Sequence, residues 1–211
     1  FHKDADRIIY SSAFRRMQDK TQVQPFPGTD YLRTRLTHSL EAASVGRSLG
    51  SAIGRQVLRR HKDLTVAGRN LTEEDFAAVV FAACLAHDIG NPPFGHAGED
   101  AIRHWFAHDG KSLLARDIGA GERLDLERFE GNAQGFRILT RLQTWRERGG
   151  LRLTAATLGA FSKYPHASIK DGEEKFGYFQ AEHESFAELA ATLGLAPRGA
   201  GAWCRHPLTL L

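Results

Sequence analysis

The segment Ala86-His87-Asp88-Ile89-Gly90-Asn91-Pro92-Pro93-Phe94-Gly95-His96-Ala97-Gly98-Glu99 places two histidines, an aspartate and a glutamate within a short stretch of chain. An apolar run over residues 76–85 precedes it and predicts a buried helix. This helix must end near Gly90, because the glycine and the following pair of prolines interrupt helical hydrogen bonding. Neighbouring helical side chains diverge by about 100°, so His87 and Asp88 can face one ion only at such a helix end.

A third histidine, His38, lies at the start of another predicted helix, residues 37–60. Two imidazoles and a carboxylate suit divalent Mn, Fe, Co, Ni or Zn, and the carboxylate also admits Mg. Three protein ligands leave positions open for water and substrate, which is typical of a catalytic site. The residues alone leave a second interpretation open, in which His87-Asp88 is a chance pair and His38 a capping or core histidine.

The order of these residues, a lone His38 followed much later by His87-Asp88, resembles the HD superfamily of metal-dependent phosphohydrolases. More closely, the chain is similar to the bacterial deoxyguanosinetriphosphate triphosphohydrolase family. The similarity runs nearly from end to end, in residues 6–16, 33–41, 86–99, 129–134, 163–165, 175–179 and 203–208.

The resemblance implies an all-α, mostly helical HD domain with room for one short β-hairpin. It implies that His38, His87 and Asp88 bind a divalent metal ion, with Mn or Mg expected first and Co, Ni, Fe or Zn as alternatives. The fourth ligand of the family is an aspartate, expected beyond Leu211. We therefore expect residues 1–211 to form a single HD domain without its C-terminal part.

His96 and Glu99 are three residues apart and share a helix face if a helix starts near Ala97. A histidine with a carboxylate partner can move protons near neutral pH. By resemblance these two residues carry the acid–base chemistry. The alternative interpretation makes Glu99 a first-turn charge that only complements the helix dipole.

Substrate-binding residues also follow from the resemblance. Arg35 lies one helical turn before His38, and its guanidinium can bind phosphate oxygens in a bidentate way. Without the family, each of these positions is equally well read as a surface ion pair or a turn amide. The other implied contacts are Gln22 to the sugar 3′-hydroxyl, and Asn132, Lys163 and Tyr164 to the phosphates and catalytic groups.

The implied reaction is metal-dependent hydrolysis of dGTP or other dNTPs to deoxynucleoside and tripolyphosphate, with water attacking the α-phosphorus. One alternative is another HD-type nucleotidase or phosphodiesterase, in which His96, His104 or His108 serves a second ion. Another is a protein that senses nucleotides or single-stranded DNA without turnover. Its basic face would be formed by Arg137, Arg141, Arg146, Arg148 and Arg152, which are otherwise a solvated helix surface.

Bulk properties agree with an ordinary globular protein, at 42% apolar and 25% charged residues. The net charge of +3 suits a polyanionic substrate without demanding nucleic acid. The chain lacks an apolar run of membrane-spanning length and a signal-peptide pattern, and its two cysteines are read as reduced. We expect a cytoplasmic homo-oligomer, by resemblance a hexamer or another multimer, with a dNTP or single-stranded DNA as a candidate effector.

Periodicity predicts several further elements. Residues 4–17 read as one helix, residues 63–71 as a loop, and residues 22–33 as a loop or short hairpin. Residues 129–148 read as a helix with Phe136, Leu139 and Leu142 inward. In the helix over residues 37–60 we expect many small residues to admit close neighbours. Its predicted inward stripe is Leu36, Leu40, Ala43, Leu49, Ile53 and Val57.

Overall fold

The computed structural model describes residues 1–22, 33–112, 118–144, 149–169, 174–199 and 201–211, and helices dominate it, which confirms the predicted all-α class. Two short strands, β1 (Thr65–Val66) and β2 (Arg69–Asn70), form an antiparallel hairpin. The α-helices of the described residues are α1 (His2–Ile9), α2 (Ser12–Arg15), α3 (Arg35–Arg60), α4 (Glu73–Ala86), α5 (His96–Ala107), α6 (Ala120–Glu127), α7 (Gly131–Arg137), α8 (Ala155–Phe161) and α9 (His183–Thr192). Short 3₁₀ turns cover Arg16–Asp19, Asp109–Ser112, Gln180–Glu182 and Pro207–Leu210.

The long helix α3 packs directly against α4. The face that it turns to α4 carries glycines, as the expectation of close helix neighbours requires. A Cβ atom at Gly50 would lie 2.9 Å from the carbonyl oxygen of Phe76 and 3.0 Å from Cα of Ala77. A Cβ atom at Gly54 would lie 2.9 Å from the ring of Phe76. Because no side chain fits at these positions, the two helix backbones lie in near contact.

The predicted inward stripe of α3 is therefore partly wrong. Leu40 is 47% exposed and Leu49 is 41% exposed, although both were expected in the core. Close packing against α4 requires small residues on this face of α3, so the large apolar side chains lie elsewhere on the helix. The buried positions of α3 are Arg35, Ser39, Ala43, Gly46, Gly50 and Gly54.

Helix α4 is the buried centre of the fold. It contacts α1, α3 and α8, and residues on all of its sides are buried, which is typical of a helix that is apolar all round. Its first turn is tied down by Asp75, whose carboxylate accepts hydrogen bonds from the backbone N–H of Thr72 at 2.8 Å and from the Thr72 hydroxyl at 2.9 Å.

The predicted helix over residues 4–17 is interrupted. Helix α1 ends at Ile9, and Ser11 caps the next helix, because its Oγ accepts a hydrogen bond from the N–H of Phe14 at 3.2 Å. Helix α1 is held to the start of α8 by the buried Asp4. The Asp4 carboxylate accepts from the hydroxyls of Thr154 at 2.6 Å and Thr157 at 2.8 Å.

Two further predictions need correction. Residues 63–71, expected as a loop, contain the hairpin, whose turn residues Ala67 and Gly68 both have positive φ. Beyond α7 the chain forms one π-helical turn, Ile138–Leu142. Phe136 and Leu139 are buried as expected, but Leu142 is 56% exposed, because the π turn changes the helical periodicity.

Other expected segments lie outside the described residues. These are residues 23–32 of the predicted loop or hairpin and residues 145–148 of the predicted helix, and the second range includes Arg146 and Arg148. The ends of the first segment come together: Thr21 forms an antiparallel bridge with Thr34, and the N–H of Gln22 donates to the carbonyl of Arg33 at 3.2 Å.

Replacing Gly50 with valine tests the contact between α3 and α4. The added side chain must push the Phe76 backbone away, so we expect the free energy of unfolding to fall by about 1–3 kcal/mol. Ala52→Val, at an exposed position of the same helix, controls for the low helix propensity of valine. Urea denaturation of both variants measures the difference, and equal losses would contradict the proposed steric contact.

Candidate active site

A cavity of about 700 Å³ opens between the helical elements. It is lined by residues of α3, α4 and α5, by the start of α7, and by residues near the C-terminal ends of α8 and of the chain. Every side chain predicted for the site contributes to this lining: Gln22, Arg35, His38, His87, Asp88, His96, Glu99, Asn132, Lys163 and Tyr164. The tertiary fold therefore brings these residues together around one cavity, although they are up to 142 positions apart in the chain.

Within this cavity, His38, His87 and Asp88 come together. One ligand atom from each residue lies within 4.8 Å of the others, and the two imidazole centroids are 5.1 Å apart. His87 is the C-cap of α4 and Asp88 follows the helix, so both side chains can turn towards α3. Over the part of the chain that the structure describes, no other group of three His, Cys, Asp or Glu residues is as close.

The hydrogen bonding of His87 defines which nitrogen can bind a metal ion. Its Nδ1 lies 2.8 Å from the carbonyl oxygen of Cys84. Because a carbonyl can only accept, Nδ1 carries the proton in the neutral ring, and Nε2 is then the nitrogen with a free lone pair. Burial, and after it the neighbouring His87, lowers the pKa of His38. Both effects favour the neutral imidazole, which is the form that ligates metal ions.

Three side chains hold the buried carboxylate of Asp88. Arg35 donates from Nη1 to Oδ2 at 2.8 Å, and Gln22 donates from Nε2 to the same oxygen at 3.0 Å. Asn91 donates from Nδ2 to Oδ1 at 2.6 Å. The carboxylate has about four lone-pair directions, so these bonds leave room for a cation while they fix the orientation of Asp88.

The positions of Arg35 and Gln22 add to what the sequence predicts for them. Both were expected to contact substrate, and in the structure both contact a candidate metal ligand while they also line the cavity. The guanidinium of Arg35 is only partly used. Its Nε is buried without a hydrogen-bond partner among the described residues.

His96 and Glu99 form a hydrogen-bonded couple at the start of α5. Gly95, with φ 56°, precedes this helix, and His96 Nδ1 lies 2.8 Å from Glu99 Oε2. Glu99 is buried, and its Oε1 accepts a hydrogen bond from the backbone N–H of Gly131 at 2.8 Å. The His96 ring is largely exposed, so its Nε2 is available to exchange a proton with water or substrate.

Comparison with known proteins adds the family. A model of the HD domain matches residues 35–131. A deoxyguanosinetriphosphate triphosphohydrolase-like protein of Synechocystis is 51% identical over 100% of this chain and 50% of its own length. The chain belongs to this family of HD-domain proteins.

Other members of the family give the same picture. A deoxyguanosinetriphosphate triphosphohydrolase-like protein of Pseudomonas aeruginosa is 47% identical over 100% of this chain and 47% of its own length. A deoxyguanosinetriphosphate triphosphohydrolase of Klebsiella pneumoniae is 39% identical over 99% of this chain and 46% of its own length. The chain thus spans about half the length of the curated relatives that it matches. None of the helices that the structure describes is long and apolar enough to cross a membrane.

Residues not assigned from the sequence also line the HD-domain cavity, among them Asn91, Glu130 and Lys175. Glu130 and Lys175 lie in segments 129–134 and 175–179, which carry the resemblance. Their position in these motifs could have identified them as site residues from the sequence. Burial is the main effect that raises the pKa of Glu130. Its carboxylate accepts hydrogen bonds from the side-chain amide of Asn132 at 2.9 and 2.8 Å.

Two cations frame the aromatic ring of Tyr164. Lys163 Nζ lies 5.5 Å from the ring centroid and Arg205 Cζ lies 5.7 Å from it. Tyr164 and Lys163 line the cavity. Such cation–π contacts hold the phenol ring in place and add positive charge near the cavity wall.

The sequence had left a second ion site and a basic face open. In the structure the rings of His104 and His108 stack on each other, with centroids 4.2 Å apart, and neither lines the cavity. Arg137 and Arg141 both pair with the buried carboxylate of Glu182, at 3.1 and 3.5 Å. These two arginines therefore share a buried counter-charge, while the Arg141 side chain stays half exposed.

The pH dependence of stability can be tested at His206, the N-cap of the last 3₁₀ turn. Burial lowers its pKa, and its Nδ1 accepts a hydrogen bond from the N–H of Leu208 at 3.3 Å, which requires the neutral ring. Protonation therefore favours the unfolded state, and we expect stability to fall as the pH drops below the ordinary value of 6.5. His206→Asn, which keeps a capping acceptor, should reduce the change in Tm between pH 7 and pH 5.

The exposed His61 provides the matched control. His61→Asn should leave the change in Tm between the two pH values as it is in the parent protein. If His206→Asn also leaves that change unaltered, the neutral capping role of His206 is wrong.

Proposed function

We propose that the protein hydrolyses deoxynucleoside triphosphates to deoxynucleosides and tripolyphosphate, with a divalent metal ion held by His38, His87 and Asp88. The observation that carries this proposal is the convergence of three ligand atoms within 4.8 Å in the wall of a cavity of about 700 Å³. The hydrogen-bonded His96–Glu99 couple lines the same cavity. The names of the HD-domain relatives support the class of substrate.

The donor set fits a divalent ion. His87 commits its Nδ1 proton to Cys84 and so offers the Nε2 lone pair, and Asp88 is already oriented by three hydrogen bonds. Two imidazoles and one carboxylate favour Mn and related transition ions and also admit Mg. When bound, such an ion polarises phosphate oxygens and makes water more acidic.

The His96–Glu99 couple supplies the acid–base step. Water attacks the α-phosphorus, its proton passes to this couple, and the bond between phosphorus and the 5′ oxygen breaks. The 5′ oxygen takes up a proton, so the products are a deoxynucleoside and tripolyphosphate. The backbone N–H of Gly131 keeps the Glu99 carboxylate in position while His96 exchanges protons.

Charge complementarity supports a triphosphate substrate. A nucleoside triphosphate carries roughly four negative charges near neutrality. Lys163 and Lys175 line the cavity, and Arg35 lines it as well while it pairs with Asp88. We assign these cations, with Asn132 and Tyr164, to the phosphates, and we assign Gln22 to the 3′-hydroxyl of the sugar.

Analysis of the products tests the reaction directly. Incubating the full-length protein with each dNTP and Mn or Mg should yield tripolyphosphate and deoxynucleoside, because the bond at the 5′ oxygen breaks. Anion-exchange chromatography separates these from the other candidates. Deoxynucleoside monophosphate plus diphosphate, or stepwise release of single phosphates, would refute the route.

Two substitutions separate metal binding from proton transfer. Asp88→Ala removes a ligand and should lose both bound metal and turnover. Glu99→Ala should retain the metal and lower kcat by about 10²- to 10⁴-fold, since it removes the partner of His96. Metal analysis after dialysis and steady-state kinetics measure the two effects.

Asp100→Asn is the matched control for Glu99→Ala, because Asp100 is an exposed carboxylate on the same helix. It should keep both metal content and kcat. Equal loss of metal in Asp88→Ala and Glu99→Ala would contradict the division of roles.

A further inference from the structure

The turn formed by Glu130, Gly131 and Asn132 joins the two halves of the candidate site. On one side, the N–H of Gly131 donates to Glu99, the carboxylate of the acid–base couple, at 2.8 Å. On the other side, the turn packs against Asn91, which donates to the candidate metal ligand Asp88. A shift of this turn would therefore displace partners of both functional groups.

Gly131 makes this arrangement possible because it has no side chain. A Cβ atom at this position would overlap Oδ1 of Asn91 and would lie 2.8 Å from Oε1 of Glu99. The bare backbone lets the Glu99 carboxylate reach the N–H. Residue 131 thus has little room to move, and its contacts depend on how the flanking residues 130 and 132 are held.

Glu130 has the contacts needed to hold the turn. Its carboxylate accepts the backbone N–H of Asn132 at 2.6 Å and so caps α7. The same carboxylate accepts the side-chain amide of Asn132 at 2.9 and 2.8 Å. Both carboxylate oxygens accept from the amide nitrogen, so the nitrogen of Asn132 faces Glu130. Fixing the nitrogen also fixes the direction of the amide oxygen, since both atoms lie on one planar group.

The burial of Glu130 needs a reason. It is 1% exposed, it lines the cavity, and among the described residues it forms no ion pair. Burying a carboxylate that forms no ion pair is costly, although the charge of Lys175 acts to lower the pKa of Glu130. All the hydrogen bonds that the Glu130 carboxylate accepts come from Asn132, which lines the cavity.

We propose that Glu130 is a positioning residue of the reaction, which acts through Asn132 and through the start of α7 that carries the Glu99 contact. Glu130 itself does not need to touch the substrate. This inference rests on the proposed hydrolysis. Its expected effect is a loss of turnover of roughly 10- to 100-fold, the size usual for residues that orient functional groups.

A double-substitution cycle in the full-length protein tests this role. In Glu130→Gln the side chain has a single acceptor oxygen, and its NH₂ group opposes the donor groups of Asn132. We expect kcat to fall by roughly 10- to 100-fold with bound metal unchanged. Asn132→Ala should lower kcat as well, and the double variant Glu130→Gln/Asn132→Ala should lose less than the product of the two single fold-losses, because the two side chains act on one unit while the backbone contact of Glu130 is kept in Asn132→Ala.

Glu182→Gln is the matched control for loss of a buried, hydrogen-bonded glutamate. Glu182 is 0% exposed and pairs with arginines, and it does not line the cavity. Its variant should lose thermal stability and keep kcat. Where Glu130→Gln is not recovered folded, Glu130→Asp takes its place in the cycle, since it keeps the charge but shortens the reach.

The outcomes separate this inference from the proposed function. A parent protein without dNTP turnover would refute the hydrolysis itself. Parental kcat in the Glu130 variant would refute only the positioning role, and so would fold-losses that multiply in the double variant. An equal fall of kcat in Glu182→Gln would attribute the loss to general destabilisation and overturn the role.

Discussion

The close contact between α3 and α4 is the constraint on which the candidate site depends. His38 lies on α3, and His87 and Asp88 lie at the end of α4, so the separation of the two helices sets the distance between the ligands. The bare face of Gly50 allows contact with the backbone of α4, and that of Gly54 accommodates the ring of Phe76. Protein interiors are closely packed and transmit such constraints, and the imidazole centroids accordingly lie 5.1 Å apart.

Buried carboxylates organise the remainder of the site. Burial of a carboxylate costs solvation free energy unless it is hydrogen-bonded. Each of these carboxylates accepts hydrogen bonds from more than one element of the fold. Asp88 collects Arg35, Gln22 and Asn91, whereas Glu99 collects His96 and the backbone of α7. The hydrogen bonds that offset the cost of burying these carboxylates therefore also orient the candidate functional groups. In this HD domain, stability and preorganisation have the same physical source.

Sequence patterns predicted most elements, and they failed where packing overrode them. Hydrophobic periodicity gave the long helices, but it placed Leu40 and Leu49 in the core, whereas the glycines of α3 lie against α4 instead. It also ran a helix through Ser11, whose hydroxyl caps a new helix instead. Leu142 was misplaced by a π turn that a regular period does not anticipate.

The sequence by itself determined the helical class, the family motifs and the residue types available for metal binding and proton transfer, because these follow from local patterns along the chain. Only the tertiary structure decided that Arg35 and Gln22 contact Asp88, and that Glu130 and Asn132 form one unit. Such pairings join segments that are remote in sequence or depend on burial. Their geometry is set by how helices pack and by which buried polar atoms must find partners.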